Sequence, residues 1–183
     1  GAPRKIAFVV PGQGGQWAGM GRALLAESPA FAHAIGECDA ALRSVSDRSI
    51  LAALSLEAPG ADRTLDVQPA LFAMAVGLAA VWREFGVSPS AVAGHSQGEV
   101  AAAYLAGALS LEDAARVVAA RSRLVEELAG AGAMVHVEAP IEEVERRIER
   151  SERALSIAAV NGPGSAAVAG DPASIEALRV SLE

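Results

Sequence analysis

The sequence pattern with the clearest chemical meaning is a serine between two glycines, Gly-His-Ser-Gln-Gly at residues 94–98. An apolar stretch at 90–93 predicts a buried strand before it, and a helix is predicted from Glu99. In this strand–turn–helix context the pattern is typical of a nucleophile elbow, because the glycines permit a tight turn that exposes the Ser96 hydroxyl. The following helix N-terminus offers N–H groups and positive partial charge to an oxyanion. The pattern predicts acyl chemistry at Ser96; a chance motif in a Gly- and Ala-rich chain is the alternative.

A serine nucleophile needs a general base, and the chain contains three histidines. His95 adjoins Ser96 at a turn where neighbouring side chains diverge, so we expect a packing or hydrogen-bonding role for it. His33 is predicted on the polar side of a helix, facing solvent. His136, on a predicted strand, is the remaining candidate. Because none is a convincing base, either the base lies outside this sequence or the motif is inert.

Arg121 is the second residue that could act on a ligand. A capping box at 110–113 predicts a helix onset, and at about 100° per residue Arg121 falls at the centre of the apolar stripe of that helix. The large apolar members of this stripe are Val117, Val118, Leu124, Val125 and Leu128. A guanidinium on such a face needs a partner. It is either a structural ion pair with an acidic side chain or a receptor for a carboxylated substrate.

The glycine-rich loop at 11–15 fits neither of two common phosphate-binding patterns. A Walker loop needs a lysine after its last glycine, and the only lysine is Lys5; a dinucleotide fingerprint fails at Trp17. The loop could instead bring a backbone N–H close to a ligand oxygen, as a second oxyanion donor. The single cysteine, Cys38, excludes a disulfide framework and multi-cysteine metal sites and suits a reducing cytoplasm. No metal site is expected.

Composition narrows the class of protein. The chain has 183 residues, 52% hydrophobic content and a net charge of −7, which together exclude a disordered chain and disfavour nucleic-acid binding. The longest apolar run, Pro69–Trp82, is shorter than the ~20 residues that cross a bilayer, so no membrane segment is expected. We expect a cytoplasmic protein that contacts neither nucleic acid nor membrane.

The predicted elements divide the chain into two domains, 1–132 and 133–183. The first contains a buried strand at 6–10, a helix at 29–43, an apolar helix opening at Pro69, and the elbow; the stretch before residue 65 is irregular. From Ala133 the pattern becomes β-α-β-β-α, with a turn at 161–164 between the last two strands. A split β-α-β-β-α-β unit needs one further strand. We therefore expect an α/β protein whose second domain lacks its last strand and which is a fragment of a longer domain.

Five segments carry a resemblance to a known family. They are PGQGGQ at 11–16, QPALFA at 68–73, GHSQGE at 94–99, RS at 121–122 and VNGPGS at 160–165. Taken in order, they resemble the acyltransferase domain of modular type I polyketide synthases, and they are similar to malonyl-CoA:acyl-carrier-protein transacylases. The resemblance implies an α/β-hydrolase-like core with a parallel sheet and nucleophile elbow, and an inserted ferredoxin-like (βαββαβ) subdomain, incomplete here.

The resemblance also implies roles for individual residues. Ser96 would take an acyl group from coenzyme A and pass it to the phosphopantetheine thiol of an acyl carrier protein. The backbone N–H groups of Gln97 and Gln13 would form the oxyanion hole, and Arg121 would bind the substrate carboxylate. Three further positions match the pocket of the family, namely Gln68, His95 and Asn161. No tightly bound cofactor is implied, and neighbouring ketosynthase and other synthase domains would be partners.

The chain departs from the family pattern in one respect. The catalytic histidine of the family follows the small subdomain, in a segment that this sequence does not contain, so the chain alone is expected to be weak or inactive. Gln97 after the serine, with Leu65–Val67 before Gln68, favours methylmalonyl over malonyl as the extender unit. Two alternatives stay open: an esterase or thioesterase, in which water resolves the acyl-enzyme and Arg121 has no use, and a non-catalytic fragment.

Overall fold

The computed structural model describes residues 5–55, 64–151 and 154–182, which form two compact units, Gly1–Glu126 and Glu127–Glu183. The first unit contains β1 (Ala7–Val10), α1 (Arg22–Glu27), α2 (Pro29–Arg43), α3 (Ile50–Ser55), α4 (Thr64–Glu84), β2 (Ala91–Gly94), α5 (Gly98–Leu105) and α6 (Leu111–Glu127). The second contains β3 (Ala133–Val137), α7 (Ile141–Glu149), β4 (Leu155–Gly162), β5 (Ser165–Gly170) and α8 (Pro172–Leu182). The units divide at the end of α6, whereas the sequence predicted a boundary between 132 and 133.

The first unit is an α/β layer built on a parallel pair of strands. β1 and β2 run side by side in register from Ala7 opposite Ala91 to Val10 opposite Gly94. One face of the pair is exposed, at Ala7 and Val9 of β1 and at Ala91 and Ala93 of β2, so the prediction of buried strands is wrong in part. The two strands still pair in parallel, as in an α/β layer. This confirms the predicted α/β class, and it brings the carboxyl ends of both strands together beneath the loops that follow them.

The core of the first unit lies between α2 and α4. The Ser28 hydroxyl accepts a hydrogen bond from the Phe31 N–H at 3.2 Å, and Pro29 occupies the first turn, so α2 begins as predicted. Phe31 is fully buried, and a Cβ at Gly77 of α4 would lie 2.6 Å from its ring. This glycine lets the two helices approach closely.

Burial raises the pKa of the Cys38 thiol to about 12, with a further contribution from Glu37, so the thiol stays protonated and inert.

Two predictions about the region before the elbow are wrong. α4 begins at Thr64, and Pro69 lies inside it, because Val67 and Gln68 are buried in the preceding turn and Asp66 pairs with Arg48. The stretch predicted to be irregular contains α3, which has a weak sequence signal of its own.

α4 is 21 residues long and apolar enough to qualify as a membrane span by length and composition. Half of its most apolar segment (50%) is buried within the protein, as in a core helix.

The prediction that large apolar residues form the buried stripe of α6 is also wrong in part. The helix begins as predicted, with the Asp113 N–H donating to the Ser110 hydroxyl at 3.0 Å. However, its buried residues are mostly small: Ala114, Ala115, Val118 and Ser122. The large apolar side chains of the stripe other than Val118 are 37–65% exposed. Small residues therefore define the buried face, and Arg121 lies at its edge, half-buried.

The second unit is an antiparallel three-stranded sheet with two helices, in the predicted order β-α-β-β-α. The strand order is β3-β5-β4. α7 and α8 contact the sheet around a small core, which contains Val137, Val144, Ala166, Val168, Ile175 and Leu178. The predicted turn is shorter than expected: Asn161 and Gly162 belong to β4, since Gly162 pairs with Ser165, and only Pro163 and Gly164 connect the strands.

Candidate active site

Ser96 adopts the strained backbone of a nucleophile elbow. Its φ is +54°, and it is the one non-glycine residue with positive φ in the described part of the chain. This region disfavours residues with a Cβ, so surrounding contacts must hold it in place. The side chain is exposed. The predicted turn is thus present, with its hydroxyl available for reaction.

Two glycines of the motif are required by close backbone approach. A Cβ at Gly94 would lie 2.4 Å from the Glu99 backbone nitrogen. A Cβ at Gly98 would lie 2.5 Å from the carbonyl oxygen of Val10 and 2.5 Å from that of Pro11. Real Cβ atoms do not approach backbone this closely. The N-terminus of α5 therefore packs directly on the end of β1, which fixes the height of Ser96 above the sheet.

The two N–H groups predicted to form the oxyanion hole are free to bind a ligand. The His95 N–H donates to Val10 at 3.0 Å, and the Glu99 N–H donates to the Ser96 carbonyl at 3.1 Å. By contrast, the N–H groups of Gln97 and Gln13 have no acceptor in the chain as far as the structure describes it. Gln97 precedes the first residue of α5, where N–H groups are left without intrahelical partners. This arrangement suits stabilisation of a developing negative charge.

Arg121 reaches the nucleophile. One guanidinium nitrogen, Nη2, donates to the Ser96 Oγ at 3.3 Å, and Nη1 donates to the Gln68 Oε1 at 2.6 Å. No carboxylate pairs with it among residues 5–55, 64–151 and 154–182. The first alternative from the sequence, a structural ion pair, is therefore not the arrangement found. A positive charge with neutral partners lies beside a reactive hydroxyl.

Gln68 connects Arg121 to the glycine-rich loop. Its side chain is 3% exposed, and its Nε2 donates to the Gln13 Oε1 at 3.3 Å. One buried amide therefore holds the guanidinium on one side and the loop with the second N–H donor on the other. The sequence marked Gln68 only through the family resemblance. One sequence feature could have identified it without the family, namely a glutamine directly before a proline in an apolar helix. A polar residue buried there must find hydrogen-bond partners.

Gln97 contributes a second buried amide. The residue is 4% exposed, and its Oε1 is buried without a hydrogen-bond donor in the described structure. Leaving such an acceptor unpaired costs free energy, about 1–3 kcal/mol. A ligand or water that donates to it would recover this cost. The side chain directly after the nucleophile is therefore able to recognise a donor.

Neither histidine of the first unit is hydrogen-bonded to Ser96 in the structure as described. His33 is exposed and lies 3.7 Å from Glu37. His95 is exposed, and its ring approaches Gly12. His136, in the second unit, has its Nε2 2.8 Å from the Ser165 hydroxyl. The base is therefore unassigned within this chain.

Asn161 lies exposed near the end of β4 in the second unit, and its predicted role in the pocket stays a prediction. No group of three or more metal-ligating side chains occurs in the searched, described residues. The chemistry that the site can perform is nucleophilic attack by Ser96 with backbone stabilisation of an oxyanion and a cationic contact for an acidic substrate.

Comparison with known proteins agrees with this chemistry. A family model described as an acyl transferase domain matches residues 7–183. The chain is 51% identical over 183 residues to erythronolide synthase EryA3 of Saccharopolyspora erythraea, covering 100% of the chain and 6% of that protein. The acyltransferase domain from module 8 of the salinomycin polyketide synthase superposes with a TM-score of 0.91 at 50% identity, covering 97% of the chain and 42% of that structure.

A more distant solved structure is a type II polyketide synthase acyl-carrier protein in complex with its malonyl-transacylase. It matches with a TM-score of 0.83 at 31% identity, over 94% of the chain and 57% of that structure. In each comparison the chain spans well under two thirds of the relative. The shared fold therefore does not by itself assign the activity, the substrates or the partners of the whole protein.

Proposed function

The chain belongs to the acyl transferase domain family, in the form carried by modular polyketide synthases, and from that premise we propose that it loads a malonyl-type extender unit onto an acyl carrier protein. The acyl group would come from coenzyme A and pass through an ester on Ser96. The complex of a carrier protein with its malonyl-transacylase supports a carrier protein as the acceptor. We also propose a cytoplasmic location, with other synthase domains as neighbours.

The proposed reaction is a two-step exchange. The Ser96 Oγ attacks the thioester carbonyl, its proton passes to a base, and the N–H groups of Gln97 and Gln13 bind the oxyanion. The carbon–sulfur bond then breaks, the coenzyme A thiolate takes the proton, and the Ser96 ester remains. In the second step the carrier's phosphopantetheine thiol gives its proton to the base and attacks the ester carbonyl. The carbon–oxygen bond to Ser96 then breaks, and the Ser96 oxygen takes the proton from the base. We propose that the base lies in a segment that follows the second unit in the family.

The observation that carries the proposal is the guanidinium of Arg121, held 3.3 Å from the Ser96 Oγ without a carboxylate partner among the described residues. Its fork matches a carboxylate in two parallel hydrogen bonds. A single carbon separates the free carboxylate of a malonyl or methylmalonyl group from the reacting carbonyl, which suits a cation beside the nucleophile. A simple esterase would gain nothing from this charge, so the acyltransferase is favoured over that alternative.

We propose methylmalonyl rather than malonyl as the preferred extender. This rests on the family resemblance of Gln97 and of Leu65–Val67. The buried Gln97 amide directly after the nucleophile supports a role in recognition, because its Oε1 lacks a donor. The third alternative, a fragment without activity of its own, applies to the isolated chain if the base is indeed supplied from outside it.

Intact-protein mass spectrometry tests the proposal. The chain is incubated with malonyl-, methylmalonyl- or acetyl-CoA, both alone and joined to the segment that follows it in the salinomycin acyltransferase. We expect a methylmalonyl adduct on the joined form, absent in its Ser96→Ala variant. An adduct that survives Ser96→Ala would reject Ser96 as the nucleophile, and no adduct on a folded joined form would favour the inactive alternative.

A further inference from the structure

The second unit contains a cleft that none of the proposed chemistry uses. Its volume is about 810 Å³, and it lies between α7 and α8. Its lining includes three arginines of α7 with a glutamate of the same helix, and two leucines: Arg146, Arg147, Arg150, Glu143, Leu155 and Leu178. All its residues belong to one compact unit, so the cleft exists independently of the site at Ser96.

The charges of α7 are segregated around the helix. At about 100° per residue, the three arginines fall on one flank, which faces the cleft, together with Glu143. The other acidic residues of the helix, Glu142, Glu145 and Glu149, fall on the neighbouring flank, where Glu142 lies one turn before Arg146. Val144 is buried in the core between these flanks. The cleft therefore gathers cationic side chains although the whole chain has a net charge of −7.

One of the three arginines is held by hydrogen bonds within the chain, and the other two are available to a ligand. Arg147 donates to the Glu143 Oε1 from Nη2 at 2.7 Å and to the Ser181 carbonyl from Nη1 at 2.9 Å. Glu143, the acidic residue in the described lining of the cleft, is therefore paired with Arg147. Arg146 and Arg150 are exposed, and neither side chain has a partner in the part of the chain that the structure describes. α8 contributes no acidic side chain to the lining.

We propose that this cleft docks an acidic α-helix of a partner protein. Arg146 and Arg150 stand one helical turn apart, about 6 Å, which is also the spacing of two carboxylates at positions i and i+4 of a helix. Leu155 and Leu178 line the same cleft and offer apolar contact to a side chain between those carboxylates. A free inorganic anion would leave this apolar surface and most of the volume unused.

A designed peptide tests the proposal by fluorescence anisotropy. The probe is a labelled, alanine-based helical peptide with two glutamates at i and i+4 and a leucine on the same face; a second peptide carries glutamine at both positions. We expect the acidic peptide to bind the chain and the glutamine peptide to bind at least about tenfold more weakly, with affinity falling as salt rises. Equal binding of both peptides would overturn the proposal.

Two double variants provide a matched control. Arg146→Gln/Arg150→Gln removes the two available charges, and Arg116→Gln/Arg179→Gln removes two exposed charges outside the cleft. We expect about a tenfold loss of affinity for the first and little change for the second, with circular dichroism unchanged in both. An equal loss in the two variants indicates a net-charge effect and contradicts docking in the cleft. Displacement of the peptide by inorganic phosphate at comparable concentration identifies a small-anion site and rejects the helix as occupant.

Discussion

The two units are built from the same kinds of element, strands packed against helices, but the contacts that fix their helix ends and loops differ. In the second unit each strand pairs with β5, and α8 is capped by the residue that precedes it. In the first unit the contacts at the site join different elements and loops: the end of β1 against α5, Gln68 against Gln13, and Arg121 against Ser96. The candidate site therefore depends on tertiary contacts, and substitutions in the two units should have different effects.

The largest difference is expected between glycines. In Gly98→Ala the added Cβ would meet two backbone oxygens at 2.5 Å, so the strand and helix must separate. We expect a loss of more than about 3 kcal/mol in the free energy of unfolding. The matched change in the second unit, Gly164→Ala, places a Cβ in open space and should change stability by less than about 1 kcal/mol.

Urea denaturation separates these two variants. Both tryptophans, Trp17 and Trp82, belong to the first unit, so their fluorescence reports on that unit, and circular dichroism reports on both. A Gly98→Ala protein with a wild-type fluorescence midpoint would mean that α5 does not pack on β1 as described.

The next effect concerns a buried carboxylate of the first unit. Asp39 is 6% exposed and accepts hydrogen bonds from the Ile50 N–H at 2.7 Å, the Ser49 hydroxyl at 2.9 Å and the Leu51 N–H at 3.3 Å. It caps α3 from a different helix. Asp39→Ala removes the shared acceptor of these hydrogen bonds and should cost about 2–3 kcal/mol. Asp39→Asn keeps one oxygen and should cost less; equal losses by urea denaturation would contradict the capping role.

Arg121 tests the chemistry in the first unit. In the joined form described above, Arg121→Ala should lower acyl loading from methylmalonyl-CoA by about 10–100-fold, because a hydrogen bond to a charged group contributes about 1.5–3 kcal/mol. The half-buried position of the guanidinium makes this smaller than the cost of unpairing a fully buried ion. Loading from acetyl-CoA should be spared. Initial rates of adduct formation measure both, and a parallel loss would remove the carboxylate-binding role.

These cases also show what the sequence could and could not predict. Local rules located most elements: the Ser28 and Ser110 caps, the elbow between β2 and α5, and the alternation of the second unit. They failed for α3, whose cap is supplied by Asp39 in another helix, and for the start of α4, where tertiary burial of Val67 and Gln68 outweighs the proline signal. The site residues were identified by motif, but their connections through Gln68 required the structure.

The smallest predicted effect belongs to the local cap of the second unit. Asp171 precedes α8 and accepts hydrogen bonds from the Ser174 hydroxyl and N–H, and these bonds hold the pKa of its carboxyl below the ordinary value of 3.8. A carboxyl with a lowered folded-state pKa stabilises the fold above its unfolded value, and this contribution is lost as pH falls through the folded-state pKa.

Asp171→Ala should therefore lower the urea midpoint of the second unit slightly at pH 7, followed by circular dichroism, with a difference from wild type that shrinks below about pH 4. Because Asp171 is exposed, solvent screens the charge and the effect stays below that of Asp39→Ala. A difference that is constant between pH 7 and pH 3 would assign the cap to hydrogen-bond geometry alone. A loss as large as that of Asp39→Ala would mean that the local cap of the second unit is as important to its stability as the tertiary cap is to the first.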